Sequence, residues 1–340
     1  MANYTFPWNQ VNTLVQDEIM PVVRDQIFVG NVFFNKLKGS QKMFSGGRSI
    51  VAPLGWKVEG GGGQWFSGPD VIDTTIRDTI QAATFTPKNL IVPIAIDWES
   101  LMTVDGPQKV MDLMASKMDI AKNTILDTFN QALYNDGSSP QQVTGLQYAL
   151  KDFSGTTPPT MTYGGISRSS TVNTWWNHNG DGTAYTSGST GLANTNLGYL
   201  AYGFAQCFLR SAKQPNLILS NIGAWTDYHY ALIKNERYGK PQRDTATYDS
   251  GFENLLYRGA PWVVDPRAPR SSAKVEHVYM LNTDAIRLYT HSQANFEYIP
   301  FREPYNQMAK VAYIVYRGEL IVVEPRTCHV VSSVDTSNVS

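Results

Sequence analysis

Asp97 and Glu99 stand two positions apart, and on a strand both carboxylates would point to one face. Glycoside hydrolysis uses two carboxyl groups about 5–9 Å apart across a cleft, one as acid and one as base or nucleophile. Trp65, Trp98, Trp175 and Trp176 would supply flat faces for a sugar to stack on. A chain of 340 residues offers such a pair readily, however, and Glu99 reads better as the start of a helix. A β-rich carbohydrate-active enzyme built on Asp97 and Glu99 is therefore an alternative reading.

A second suggestive stretch is WKVEGGGGQWFSGPD, which places Gly60, Gly61, Gly62 and Gly63 between Trp56 and Trp65. A phosphate-cradling P-loop needs G-x-x-x-x-G-K-[ST], and Gly63 is followed by Gln64, Trp65 and Phe66. The dinucleotide fingerprint fails as well, because Trp65 and Phe66 fall where its last glycine belongs. Freedom at positive φ is what the glycines do supply, so the stretch reads as a bend between two extended arms. No H-E-x-x-H, G-x-S-x-G or EF-hand spacing occurs. His178, His229, His277, His291 and His329 are scattered, and Cys328-His329 lacks further ligands at a suitable spacing. No catalytic residue, metal or cofactor is expected.

Composition narrows the choice further. A formal net charge of −1 argues against tight nucleic-acid binding, which needs a basic surface. Charged residues are only 17% and aromatics 12%, with eight Trp and eighteen Tyr. That balance tilts toward buried association surfaces. Cys207 and Cys328 are the only cysteines and form no C-x-x-C pair, which fits folding in a reducing compartment. The start, MANYTFPWNQ, lacks a basic region followed by an apolar run, so no signal peptide is expected. No apolar run reaches about 18 residues.

The pattern of apolar residues outlines the elements. Residues 1 to 46 read as an amphipathic arm with little partner sequence nearby. Strand-like alternation covers 49 to 56 and resumes over 76 to 85. In KNLIVPIAID, Leu90, Val92, Ile94 and Ile96 share a face, and Pro93 marks an edge or bulge. Met111, Met114, Met118, Ala121, Ile125 and Phe129 step by three or four, predicting a long helix over 106–136. An α/β unit follows, with helices over 197–212 and from Ser220 or Asn221 to about 234. Strands are expected in NLILS and APWVVD, and HVYML and AIRLY lead into the last portion. AKVAYIVYRGELIVVEP alternates on both sides of Arg317-Gly318-Glu319 and predicts a hairpin. Residues 331–340 read as a polar tail. Adjacent Trp175 and Trp176 would face opposite ways if extended, leaving two arrangements open: one in the core and one at an interface, or both in the core.

Taken in order, these pieces resemble the major capsid proteins of tailed bacteriophages. The resemblance is carried by IFVGNVFFNKLKG, by FSGPDVIDTTIRDTIQAATFTPKNLIVPIAI, by the helix ending in LYNDG, by TGLQYAL, and above all by YGGISRSSTVNTWWNHN. It implies an α+β chain with the tailed-phage major capsid fold: an N-terminal arm (1–46), an extended β-hairpin loop (47–97), a peripheral domain (98–142) with a long spine helix (106–136), an axial domain (143–284), peripheral return strands (285–330) and a tail (331–340). On that resemblance, Trp56, Gly60 to Gly63, Trp65, Phe66 and Asp70 belong to a loop that overlaps a neighbouring subunit. Trp8, Phe28 and Phe34 of the arm, with Arg168, Trp175 and Trp176 of the axial domain, are further expected interface residues. The implied function is a coat protein forming pentamers and hexamers in an icosahedral shell around packaged double-stranded DNA, located in the virion and assembled in the host cytoplasm. The implied partners are further copies, a portal, a separate scaffolding or decoration protein, and DNA touched without sequence preference; no membrane is implied. Met1 at the start implies a chain not trimmed there. A tail or fibre protein is a second alternative, of different symmetry.

Overall fold

A computed structural model describes residues 32–55, 65–71, 80–103, 107–151, 159–169, 171–178, 197–234, 254–270, 275–305 and 307–336. Trp8, Phe28, Trp56 and Gly60 to Gly63 lie outside these residues. The first described helix, α1 (Val32–Lys38), buries Phe33, Phe34 and Leu37 completely or nearly so. Phe34 lies 4.8 Å from Phe129 and 6.1 Å from Phe296, ring centre to ring centre. The end of the expected arm therefore docks on its own chain, and Phe34 is a core residue, contrary to the interface role expected for it. Two adjacent phenylalanines with a leucine a turn later need an aromatic bed, and the spine helix provides one.

Strands β1 (Gln41–Phe44), β2 (Ile50–Gly55), β3 (Ile80–Phe85) and β4 (Lys88–Asp97) follow. A short helix, α2 (Trp98–Thr103), leads to the spine α3 (Pro107–Leu133). Its 27 residues span about 40 Å. Met114, Met118, Ala121, Ile125, Phe129 and Leu133 are buried along one stripe, and Ile120 on the other side is exposed. Asn135 then ties off the helix: its side-chain amide donates to the Ser139 and Val143 carbonyls, and its Oδ1 accepts from the Gly137 N–H. Gly137 has φ +90 and faces the ring of Tyr148 on the short helix α4 (Leu146–Ala149), a position that suits only glycine.

The peripheral sheet packs on this spine. Strand β11 (Ile286–His291) takes β1 in parallel on one side and β13 (Ala309–Val322) antiparallel on the other. Strand β4 runs antiparallel along β13, and Val92, Ile94 and Ile96 face inward. Its only strand partner among the described residues is β13, so Pro93 sits in an edge strand as expected. The hairpin expected at Arg317-Gly318-Glu319 does not form: β13 is one strand of 14 residues. Up to Gly318 it is flanked by β4 and β12 (Glu297–Arg302), and from Gly318 onward by β11. Gly318 is not a turn but a tight crossing, where a Cβ would collide with the Tyr289 carbonyl and the Tyr316 phenol. Strand β4 therefore belongs to the peripheral sheet, and only β2 and β3 remain for the extended loop.

The axial sheet is ordered β14-β10-β7-β9-β8, from β7 (Leu217–Ser220), β8 (Asn254–Tyr257), β9 (Ala260–Val264), β10 (Val275–Leu281) and β14 (His329–Asp335). Strand β14 corrects the expected boundary at 330, since much of the supposed polar tail pairs antiparallel with β10. Val330 enters the peripheral core while Val331 and Val334 enter the axial one, a division that a short stretch rich in Val and Ser does not announce. Ile218, Trp262, Val278 and Met280 pack with the helices α5 (Leu197–Ser211) and α6 (Ile222–Lys234), while Leu217, Leu219 and Tyr279 join the peripheral core. One sheet thus serves both cores. The Tyr134 hydroxyl donates to Asp265 Oδ2 at 2.8 Å, and Arg267 pairs with Asp127 at 2.5 Å, clamping spine to axial domain. Buried Glu276 accepts from the Ala224 N–H at the start of α6 and from Arg270, so its charge has partners at both oxygens.

Candidate functional site

The most unusual element is the ribbon of β2 and β3. Six residues pair antiparallel with six, from Ile50 opposite Phe85 to Gly55 opposite Ile80. Among the described residues neither strand joins another sheet, although an isolated two-stranded ribbon is marginal in water. One face carries the buried Ile50, Ala52, Leu54, Ala83 and Phe85, and Val51 and Ile80 on the other are exposed. Beyond the ribbon, residues 65–71 form a turn in which the Ser67 N–H donates to Asp70 Oδ2 at 3.0 Å, with Gly68 at φ +65. Asp70 thus shapes the turn. Around it Trp65 is fully exposed at 103%, Val71 at 96% and Phe66 at 68%. Three large apolar side chains held in water by an ordered turn are a patch that calls for a partner.

The root of the ribbon sits in a socket built by the motif YGGISRSSTVNTWW. Gly164 and Gly165, at φ +60 and +79, make the two-residue turn between β5 (Thr162–Tyr163) and β6 (Ile166–Ser167), as such hairpins require. The Gly164 carbonyl accepts from the Thr84 N–H at 2.8 Å. A Cβ on Gly164 would press into Phe85 and Ala83. Phe85 meets the Tyr163 ring edge-on at 5.0 Å. Tyr163 is the hub: its carbonyl accepts from Trp176 Nε1 at 2.9 Å and its hydroxyl accepts from the Val322 N–H at 2.9 Å. The Arg168 guanidinium lies over its ring at 4.5 Å.

This geometry corrects two expected interface residues. Arg168 and Trp176 are completely buried in their own chain, so neither offers a surface to a neighbour. Trp176 fills the socket; Trp175, stacked obliquely on it at 5.4 Å, is half-buried against the same core. Trp176 is thus a core residue, and Trp175 packs on it while keeping part of its surface in solvent. Arg168 is notable chemically, since none of its guanidinium nitrogens has a hydrogen-bond partner among the described residues. Burial lowers its pKa to about 10. A buried cation without a carboxylate costs stability, so Arg168→Met is expected to leave the thermal unfolding midpoint unchanged or raise it by a few degrees. A marked fall in a melting curve would assign the guanidinium a stabilising role instead.

Asp97 and Glu99 do not share a strand face. Asp97 ends β4 and caps α2, accepting from the Ser100 N–H at 2.9 Å and the Ser100 hydroxyl at 2.6 Å. Those bonds hold its carboxyl below the ordinary range, the reverse of what a proton-donating acid needs. Glu99 lies on the first turn of α2. His178 and His329 are buried near one another, ring centres 6.4 Å apart. Burial first, then the His329 neighbour, pushes the His178 imidazole down to about 3. Burial pushes the Cys328 thiol up to about 11. Among the described residues no group of three His, Cys, Asp or Glu side chains could hold a metal ion, and no helix is long and apolar enough to cross a membrane.

Sequence reasoning located the ribbon and its exposed aromatics, and it missed Tyr163 as the hub. The two glycines after Tyr163 were the available signal, marking a turn tight enough for another backbone to seat against it.

No protein-family model matches the sequence, and no curated protein matches it either. Solved structures do match over nearly the full length. The capsid asymmetric unit of cyanophage A-1(L) is 17% identical, with a TM-score of 0.63 over 89% of this chain and 92% of that one. The capsid of a native GTA particle is 13% identical, with a TM-score of 0.52 over 88% and 89%. The holo-SrpI encapsulin complex of Synechococcus elongatus is 10% identical, with a TM-score of 0.51 over 87% and 85%. The chain has the fold of the tailed-phage major capsid proteins.

Proposed function

We propose that this chain is a coat protein that self-assembles as pentamers and hexamers into an icosahedral shell around packaged double-stranded DNA. Its role is mechanical rather than catalytic. The observation that carries the proposal is the ribbon, a β-arm rooted in its own core by the Tyr163 socket and tipped with Trp65, Phe66 and Val71 in water. Such a tip gains free energy only when another molecule covers it, and the likeness to the cyanophage capsid supports a sister copy as that molecule. A receiving surface of matching character exists on the peripheral sheet. There Ile91, Pro93 and Ala95 of β4 face outward beside the half-buried Val315 and Tyr313 of β13. Arm on one side and apolar sheet on the other make a heterologous contact, the kind that closes into rings.

A near-neutral chain fits a container that touches its genome without gripping it. A portal and a separate scaffolding or decoration protein complete the proposed partners, with assembly in the host cytoplasm and the virion as destination. Negative-stain microscopy of purified protein, before and after concentration, tests the proposal. Rings of five and six or closed shells are expected. A species that stays monomeric throughout would overturn it, and a trimer would favour a tail or fibre component.

A further inference from the structure

Charge is spread unevenly along the chain. From Gln26 to Val58 the sequence holds five cations (Lys36, Lys38, Lys42, Arg48 and Lys57) and no Asp or Glu. Overall 28 cations stand against 29 acids, which leaves 23 against 29, a net −6, outside that segment. The near-neutral total thus conceals a basic run. Its described part is ordered on the peripheral domain, where α1 ends in Lys36 and Lys38 and β1 carries Lys42. Lys38, Lys42 and Arg48 are exposed, and Lys36 is half-buried. The fold adds a further cation. Strand β1 runs parallel to β11 with Lys42 opposite Tyr289 and Phe44 opposite His291. Paired residues project to one side and alternate along each strand, so Lys42, Phe44, Arg287, Tyr289 and His291 share a face. The edge-on contact of Phe44 with His291 at 5.2 Å agrees with this. Arg287 is half-buried there. The Gly46 N–H then donates to His291 Nε2 at 3.4 Å, carrying the chain past the end of β11 toward Arg48.

We propose that this basic strip, centred on Lys42, Arg48 and Arg287, is where the chain touches the phosphate backbone of double-stranded DNA. Among the described residues no carboxylate forms an ion pair with any of the three. The Ser40 hydroxyl donates to the Thr283 carbonyl, so the exposed acid Asp284 marks one end of the strip. Between the cations stand Ser45, Gly46, Gly47 and Ser49, all exposed. Phosphate contacts come from Lys, Arg, Ser and open backbone N–H groups, and they carry no sequence information. A protein partner would instead want an aromatic or aliphatic centre. The arm tip has one in Trp65 and Phe66; the strip does not, since exposed Met43 alternates to the opposite side of β1. Each copy supplies a weak contact, and many copies lining one shell sum it.

That this DNA is a packaged genome rests on the shell reading, whereas the phosphate contact is testable on unassembled chain. A short fluorescein-labelled duplex of mixed sequence is titrated with the purified full chain and followed by anisotropy. Saturable binding is expected at about 20 mM salt, weakening roughly eightyfold by about 100 mM, as about three phosphate contacts require. A second duplex of unrelated sequence should bind within about twofold of the first. Lys42→Gln with Arg48→Gln and Arg287→Gln should abolish binding over this range. Arg48→Gln alone should lower the log–log salt slope by about 0.9. An equal loss of charge elsewhere, in Lys117→Gln with Lys122→Gln and Lys213→Gln, should change affinity by less than about threefold. The strip is overturned if wild type does not bind, if the strip variant binds like wild type, or if the control variant weakens binding as much. Capture of poly-glutamate without capture of the duplex also overturns it, giving the strip to an acidic protein segment. Circular dichroism checks folding, and Lys42→Gln with Arg48→Gln, both at exposed positions, decides the same outcomes should Arg287→Gln fail to fold. Micrographs without shells would count against assembly and leave the titration readable.

Discussion

Trp65→Ala combined with Phe66→Ala is expected to abolish shells while leaving the chain folded. Both side chains stand in water, so their loss should change the unfolding free energy by no more than about 0.5 kcal/mol. The cost falls on association. A buried Trp and Phe together remove roughly 350 Å² of mostly apolar surface, a gross gain of about 8 kcal/mol at about 25 cal/mol per Å². Ordering and docking consume much of that gain, so the surplus at each contact is modest and losing both anchors erases it. Every subunit would donate one arm and receive another, so the deficit recurs at each contact and closure fails as a whole. Far-ultraviolet circular dichroism and urea titration should match wild type, while electron micrographs lose their shells. Shells of normal yield would remove the arm tip from the interface. A variant that unfolds would make Trp65 or Phe66 part of the chain's own core.

The arm and the spine were legible in the sequence for a plain reason: each declares itself locally. The stripe from Met114 to Phe129 repeats every three or four residues over several turns, and the alternation in β2, β3 and β4 is interrupted by clear turn chemistry. What failed was everything decided by distant partners. Phe33 and Phe34 gave no sign that Phe129, Phe296 and Tyr134 were waiting for them. Arg317-Gly318-Glu319 has the composition of a turn, and only the crowding by Tyr289 and Tyr316 shows why the glycine is there. Strand β14 mixes Val with Ser and Asp and stands out only when β10 is placed beside it. The arm-root socket was half legible. Its glycines and tryptophans drew notice as a motif, but their common dependence on Tyr163 appears only in three dimensions.

Trp176→Ala should destabilise the chain by about 3–5 kcal/mol, with Trp175→Ala costing clearly less. Trp176 is fully buried, its ring lies 5.4 Å from Tyr163, and its Nε1 satisfies the Tyr163 carbonyl at 2.9 Å. Truncation leaves a large cavity and orphans that carbonyl, a penalty beyond the packing loss. Domains hold only about 5–15 kcal/mol in reserve, so the variant would sit close to unfolding at ordinary temperature. Trp175 is only half-buried, and fewer of its contacts can be lost. Trp176→Phe separates the two terms, since it restores most of the packing without the donor; it should recover the greater part of the loss and remain about 1 kcal/mol short. Urea unfolding gives these differences directly. Hydrogen exchange adds a second readout, because Phe85 rests on the Tyr163 ring that Trp176 supports. Amides of residues 80–85 should exchange faster in Trp176→Ala than in Trp175→Ala, as the arm loosens at its root before the molecule unfolds. Unchanged stability in Trp176→Ala, with shells lost, would return that tryptophan to the subunit interface.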